Sequence, residues 1–288
     1  MDEVTSRDTL LLVDGSNLLF QMFYGMPARI IGKDGFPIQG VLGFVGALLK
    51  IIRRIQPTHV GVLFDGEHEN PRSLMDTDYK ANRPDFSQMP EEDTPFSQLP
   101  YIYAALTHMG IPHAETTVCE VDDWMWAYVA GYPQANIVIS SFDSDFFQLI
   151  SPRVSVLRYR GDHTVICDPP YIQEKLGIEP CQYADFKSMT GDSADNIKGA
   201  RGIGPKTAAE LLRTYGNLEN VIAMADTISK PSIRASVKEH AQRLMHNHRL
   251  ISFWGNVSAP LPFSLDDLLY QLPTSMTTRS ILHDIGLT

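Results

Sequence analysis

Cysteine is scarce in this 288-residue chain: Cys119, Cys167 and Cys181 show no Cys-x-x-Cys spacing, and any disulfide scheme leaves one unpaired. A disulfide scaffold is therefore excluded, and buried thiols in a reducing compartment are expected. Long apolar runs are also missing; none approaches the roughly 18 residues that a membrane helix needs. The N-terminal MDEVTSRDTLLLVDGS carries acids where a signal peptide carries bases, and its apolar stretch is only four residues long. A cytoplasmic protein with no membrane partner is the expectation. Internal repeats and low-complexity tracts are absent as well, which excludes solenoids and linker-like chains.

What is present is ordinary for a globular protein: 43% hydrophobic and 20% charged residues. The length exceeds the usual 100 to 200 residues of one domain, so two lobes are expected. The net charge of −10 counts against a polyanionic partner unless the acids are concentrated in one place.

Continuous apolar runs at Thr9 to Val13, His59 to Phe64 and Ile137 to Ser140 read as strands covered on both faces, as in a parallel sheet. Helix-like stretches at Gly40 to Ile55 and Phe96 to Met109 alternate with them, which is the grammar of an α/β domain. Residues 67 to 95 interrupt that pattern with four prolines, many charges and little periodicity, as functional or mobile segments do. From about Tyr171 the pattern becomes helical, with the glycine-rich GARGIGPKTA at Gly199 to Ala208 in its midst.

The apolar runs end at Asp14, at Asp65 and just before Asp143 and Asp145, where ligands of open α/β sheets gather. CEVDD adds Glu120, Asp122 and Asp123, and GDSADN adds Asp192 and Asp195, which share a face if that segment is helical. A single Asp-Gly after a strand is often a plain turn, and Asp192 or Asp195 alone could be a cap. Nine carboxylates gathered together, however, cannot all ionise without cations. An oxygen-only set without His or Cys points to Mg²⁺ or Mn²⁺ rather than zinc. Setting these nine acids aside changes the net charge from −10 to −1, so the remaining surface does not exclude DNA.

GARGIGPKTA lacks the spacing of a P-loop. Its glycines Gly199, Gly202 and Gly204, with Lys198, Arg201, Lys206, Thr207 and Arg213 nearby, could bring backbone N–H groups and positive charge to a phosphate, or form a plain turn. With a helix on either side the segment looks like a helix-hairpin-helix, a sequence-independent clamp for a DNA backbone.

The stretches LLVDGSNLLF, GVLFDGEHENPRSLMDTDYKANRP, CEVDD, VISSFDSDFFQLI, GDSADNIKGARGIGPKTA and YGNLENV together resemble the 5′ nuclease family, in the family's order and over approximately residues 9 to 253. That family comprises flap endonucleases and the N-terminal 5′ to 3′ exonuclease domain of bacterial DNA polymerase I. The resemblance implies a PIN-like α/β nuclease domain over residues 1–170, with a mostly parallel central sheet and an arch at about 67–95. It implies a helical DNA-binding domain over 171–288, with a helix-three-turn-helix (helix-hairpin-helix) at about 192–215 and a C-terminal tail.

The implied activity is structure-specific hydrolysis of flapped, nicked or branched DNA, or of an RNA-DNA junction, with two Mg²⁺ or Mn²⁺ ions and a K⁺ at the hairpin. All nine motif carboxylates are present. Asp14, Asp65, Glu120 and Asp122 are assigned mainly to the first ion, Asp143, Asp145, Asp192 and Asp195 to the second, and Asp123 to bridging or orienting. Arg72, Lys80 and Arg83 are the candidate catalytic cations facing the ions from the arch, unless they belong to a solvated charged loop. Phe20 and Tyr79 are candidates for stacking on an unpaired base.

Two departures stand beside Asp143: polymerase-linked members read TGDKD, where this chain has Phe142 and Ser144 in SFDSD. A monomeric, stand-alone bacterial member, or an excised domain, is expected. The rivals are a PIN-type ribonuclease and a branched-DNA-binding paralogue with vestigial catalysis.

Overall fold

The apolar runs become strands because each is covered by helices on both faces, and the acids that follow them mark where the cover ends. The computed structural model describes residues 8–68, 71–83, 86, 89–253 and 260–288. Strand β1 (Thr9–Asp14) feeds helix α1 (Gly15–Gly25), followed by α2 (Gln39–Ile55), β2 (His59–Phe64), α3 (Pro71–Met75), α4 (Leu99–Met109) and β3 (His113–Glu115). Then come α5 (Val121–Gly131), β4 (Asn136–Ser140), β5 (Val154–Arg158), β6 (Val165–Cys167) and α6 (Pro169–Leu176). The remainder is α7 (Tyr183–Thr190), the two-residue strands β7 (Gly191–Asp192) and β8 (Ile197–Lys198), α8 (Pro205–Tyr215), α9 (Leu218–Ala223), α10 (Pro231–Ile251) and α11 (Thr278–Asp284).

The main sheet has the order β3-β2-β1-β4-β5-β6, parallel throughout except for β6. The chain leaves β1 toward β2 and β3 and later returns to the other side of β1 with β4. A crevice therefore opens between β1 and β4 at their carboxyl ends. Alternation along β1 divides the core: Leu10 and Leu12 join the face covered by α5, whereas Leu11 and Val13 join the face covered by α2 and α4. The first core continues without a break into α7, α8, α9 and α10 through Phe186, Leu211, Val221, Val237 and Leu244. The helical part is thus mortised to the sheet by shared apolar side chains.

Strands β3, β5 and β6 have no clear signal in the sequence. They are short outer or edge strands, half exposed in places, and carry no continuous apolar run. The segment 77–83 is a chain of turns rather than a helix, and Lys80 takes a left-handed backbone at φ 57°. That conformation is fixed from outside: Lys80 N–H donates to the Asp195 carbonyl at 3.1 Å, and Asn196 Nδ2 donates to the Asp78 carbonyl at 2.8 Å. The 192–196 segment is also non-helical, so Asp192 and Asp195 do not share a helix face. Trp124 and Tyr128 are core residues, and Cys119 and Cys167 are buried, whereas Cys181 is exposed. Among the described residues no helix is long and apolar enough to cross a membrane.

The chain's end packs on the α/β part. Pro260 and Phe263 carbonyls accept from Trp124 Nε1 and the Tyr128 hydroxyl, both at 3.1 Å. Tyr270 N–H then donates to the Thr58 carbonyl at 2.9 Å, and α11 packs on α2 and α4. Residues 260–288 therefore belong to the packing of the α/β part. Leu268 is fully buried against Gly61 of β2, where a Cβ would lie 3.0 Å from its methyl group. Leu268→Ala should lower unfolding free energy by about 2–5 kcal/mol, measured by chemical denaturation. A change close to zero would show that the tail rests on the sheet without supporting it.

Candidate active site

Asp14 ends β1 and begins the site. Its Oδ1 accepts from Asn17 N–H at 2.9 Å and so caps α1, while Oδ2 accepts from the Ser141 hydroxyl at 2.8 Å. The Asp14-Gly15 pair is not a turn: a Cβ on Gly15 would fall 2.5 Å from the Phe64 ring, so glycine lets α1 start directly against β2. Ser141 Oγ also accepts from Asp143 N–H at 3.0 Å, and Asn17 Oδ1 accepts from Phe142 N–H at 3.0 Å. These bonds tie the loop after β4 to the start of α1. Phe142 is packed under the Arg160 guanidinium at 5.3 Å.

Asp65 follows β2, and its Oδ1 accepts from Val121 N–H at 2.9 Å at the first turn of α5. Glu120 and Asp123 form a capping box on the same helix. The N-termini of two helices thus point their free N–H groups at acids from β1 and β2, which is electrostatically favourable for carboxylates.

Asp14, Asp65, Glu120, Asp122 and Asp143 line one cleft of about 430 Å³, together with Lys80, Arg83, Ser16, Asn17 and the phenylalanines Phe20, Phe86 and Phe96. Lys80 is ion-paired with Glu120. Phe20 meets Phe86 and Phe96 edge-on, with ring centroids 5.8 and 5.6 Å away, giving the cleft an apolar wall opposite its acids. Asp145, Asp192 and Asp195 form a second group beside Asp143. In it Lys187 Nζ lies 2.5 Å from Asp192, and Arg83 lies 3.4 Å from Asp195.

Three assignments from the sequence need correction. Arg72 does not face the cleft: it is 5% exposed, paired with Glu120 and Asp123, and its Nε donates to the Leu250 carbonyl at 3.1 Å. Asp123 is turned the same way, toward Arg72 and the cap of α5 rather than toward the other acids, which leaves the orienting role and not the bridging one. Tyr79 is 6% exposed and packs with Ala184, Ile197, Leu250 and Ile251, so it offers no ring face to a base. Residues that sequence reasoning missed are Asn17 and Ser141, which brace the acids, and Phe86 and Phe96. Only Asn17 had a signal, standing three residues after Asp14 as a helix-capping partner.

The charge state of the site follows from its packing. Burial, aided by Asp65, raises Asp14 to about 7 despite two hydrogen bonds. Burial and neighbouring acids also push Asp122 and Asp145 well above the ordinary carboxylate range. Asp65 and Asp195 are raised by the same desolvation. Glu120 moves the other way: burial opposes its charge, but Lys80 and Arg72 together hold it at about 2. Lys80 remains charged because Glu120 more than offsets its burial.

Among the described residues, no three His, Cys, Asp or Glu side chains are drawn close enough to ligate one ion as they stand. The donor set nevertheless suits a hard divalent cation. It is all oxygen, it is crowded enough to resist full ionisation, and Asp145 Oδ1 is buried with no hydrogen-bond partner among the described residues.

The basic turn lies on the far side of β7 and β8. Lys198, Arg201, Gly202, Gly204 and Lys206 are exposed and Thr207 is half-buried, with α7 before the turn and α8 after it. Gly202 takes φ 80°, and a Cβ on Gly202 or Gly204 would meet nothing within 4 Å, so the backbone there is open to approach. Helix α10 holds the turn from behind: Ser236 Oγ donates to the Arg201 carbonyl at 2.6 Å, and Asn247 Nδ2 donates to the Lys198 carbonyl at 2.9 Å.

A doubly wound sheet with a carboxylate cleft at its switch point and a basic helical hairpin beside it defines the class: an α/β fold with a crowded acidic site. The N-terminal resolvase-like domain of 5′-3′ exonucleases matches residues 9–177, and their C-terminal SAM fold matches residues 178–275. DNA polymerase I of Rhizobium leguminosarum is 35% identical over 273 residues, 92% of this chain and 26% of that protein. DNA polymerase I of Bacillus caldotenax is 34% identical over 284 residues, 97% of this chain and 32% of that protein. The chain thus spans about a quarter to a third of the length of these relatives.

The bacteriophage T5 D15 protein co-crystallised with metal ions superposes with a TM-score of 0.70 at 21% identity, over 85% of this chain and 89% of that one. The catalytic core of Rad2 in complex with DNA substrate superposes with a TM-score of 0.61 at 16% identity, over 96% and 87%. The chain belongs to the 5′-3′ exonuclease family.

The pKa of Asp14 has a testable sign. Its folded-state value of about 7 lies above the ordinary 3.8, so between these values the folded protein keeps a proton that the unfolded chain has lost. The stability contribution is full below the lower value and is lost as pH rises through the upper one. In chelator, the melting temperature should fall from about pH 5 to about pH 8, and Asp14→Asn, which can still cap α1, should flatten that fall. Identical profiles for the two proteins would remove Asp14 as a strained carboxylate.

Proposed function

We propose that the protein hydrolyses phosphodiester bonds near the 5′ end or junction of flapped, nicked or branched DNA, including RNA-DNA junctions, during primer and flap removal in replication and repair. The observation that carries this reading is the single cleft in which five carboxylates face Lys80, Arg83 and an aromatic wall. Asp14, Asp65, Glu120 and Asp122 would hold one divalent ion, Mg²⁺ or Mn²⁺, joined by Asp143, which the sequence assigned to the second ion but which lines the first cleft; Asp145, Asp192 and Asp195 would hold the second, with K⁺ at the hairpin as the resemblance implies. When bound, the divalent ions supply the charge that activates water and stabilises the leaving oxygen of an in-line displacement.

The chain's own groups do the rest. Lys80 and Arg83 place positive charge over the acids, where the non-bridging oxygens of a phosphate need it. Arg72 positions Glu120 by holding one of its oxygens from behind. Phe20 presents an apolar face on which an unpaired base can stack. The open turn at Gly202 to Gly204, flanked by Arg201 and Lys206, grips duplex phosphates without reading bases.

The decisive assay is cleavage of a labelled 5′ flap with added Mg²⁺ or Mn²⁺, abolished by chelator. Asp143→Asn or Asp192→Asn should lower cleavage by several orders of magnitude while leaving DNA binding in place. Near-wild-type turnover in saturating Mg²⁺ would sink the two-ion assignment.

The hairpin reading has its own test. Arg201→Ala combined with Lys206→Ala should weaken flap and plain duplex alike. The slope of log affinity against log salt should flatten by up to roughly 2, because each phosphate that is no longer neutralised is worth about 0.9. Unaltered affinity and slope in a double mutant that is folded by circular dichroism would return GARGIGPKTA to a structural turn.

A further inference from the structure

Lys187 takes no part in the reading above, yet its ammonium sits among the acids. It lies in the last turn of α7, with Nζ 2.5 Å from Asp192 Oδ2, and the two side chains are only 16% and 11% exposed. The juxtaposition is built by the backbone. Gly191 N–H donates to the Lys187 carbonyl, and Gly191 turns the chain at φ 83°, bringing Asp192 back toward Lys187 in the helix's last turn. That turn has no slack: a Cβ on Gly191 would fall 2.6 Å from Gly199 N and 2.7 Å from the Ile197 carbonyl.

The other members of the cluster are served differently. Asp195 meets Arg83 at 3.4 Å, but Arg83 is 56% exposed and loosely held. Asp145 Oδ1 has no hydrogen-bond partner among the described residues. Lys187 also bears on Asp145, opposing the upward push of burial and of Asp143, Asp195 and Asp192. Among the described residues, Asp192 is the one of the three carboxylates whose side chain is ion-paired with a mostly buried cation, while Lys80 and Arg83 both bear on Asp195. An ammonium is a compact point charge on a four-carbon stem, so it can leave without moving the helix that carries it.

We propose that Lys187 is a tethered counter-ion that occupies Asp192 and competes with the divalent cation for the Asp145–Asp192–Asp195 cluster, making this the weaker of the two ion sites. The inference rests on the two-ion reading above and adds the order of filling: the cleft carboxylates load first, and the Asp192 cluster loads only as Lys187 swings aside. A lysine that merely braced Asp192 for the ion would have the opposite effect, because its loss would release the carboxylate and weaken ion binding.

Calorimetric titration of DNA-free protein with Mn²⁺, and separately with Ca²⁺, distinguishes these cases. The wild type should bind two ions in a strong and a weak step. Lys187→Met should tighten the weak step by about tenfold or more and leave the strong one within about twofold, since a touching like charge has been removed from one site only. Lys187→Arg, which keeps the charge, should leave the weak step weak.

A second readout is thermal: in chelator Lys187→Met should melt below the wild type, and Mn²⁺ should raise its melting temperature by more. If Lys187→Met does not fold without ions, Lys187→Gln, neutral but still able to donate to Asp192, takes its place in both measurements. A weak step that is unchanged or further weakened in the folded variant overturns the competition while leaving the two-ion reading intact. A wild type that binds fewer than two ions overturns that reading and this inference with it.

Discussion

Mutual repulsion of carboxylates in a confined space is the constraint on which the site and much of its support depend. Eight of the nine motif acids gather in two adjoining groups at the carboxyl ends of the central strands, where protein rather than water surrounds most of them. The contrast between Asp14 at about 7 and Glu120 at about 2 shows which remedy is strong. Asp14 has a backbone amide and a hydroxyl, and these do not overcome burial beside Asp65. Glu120 has two cations, and they reverse the effect of burial altogether. Partial dipoles moderate the repulsion, whereas full positive charges decide it.

That hierarchy explains why the segment between β2 and α4 is organised as it is. Arg72, at its base, is committed to Glu120 and Asp123 on α5 and to the Leu250 carbonyl at the end of α10. Lys80, a little further on, reaches Glu120 with its side chain and Asp195 with its backbone. One short stretch therefore ties the sheet, α5, the 192–196 turn and α10 together through the acids themselves. The continuous apolar core from β1 to α10 performs the same joining on the side away from the cleft.

Much of this was legible in the sequence, for a physical reason. A strand covered on both faces needs a continuous apolar run, and an acid placed directly after such a run has few places to go except the crevice at the sheet's end. The positions of Asp14, Asp65 and Asp143 could thus be read from local pattern. What could not be read depended on partners distant in the chain. Arg72 and Tyr79 look like exposed members of a charged loop until Leu250, Ala184 and Ile197 are brought over them. Ser141 is an ordinary serine until Asp14, 127 positions earlier, accepts its hydrogen bond. Lys80 falls in a stretch with little periodicity, and its left-handed backbone is set by the distant Asp195 carbonyl; the edge strands β3 and β6 are too short to carry a periodic signal.

The ribbon of β7 and β8 has a consequence of scale. Asp192 ends one of its two-residue strands and Lys198 ends the other, and five residues of backbone separate Asp192 from Lys198. Asn247 ties the ribbon's end at Lys198 to Ser188 of α7. Acids and basic turn are consequently parts of a single rigid gauge rather than two modules joined by a hinge. Under the function proposed above, a strand held at the turn would be presented to the acids at a set arc length, and the position of a cut would be measured along the helix in nucleotides by protein geometry, independently of the letters it carries.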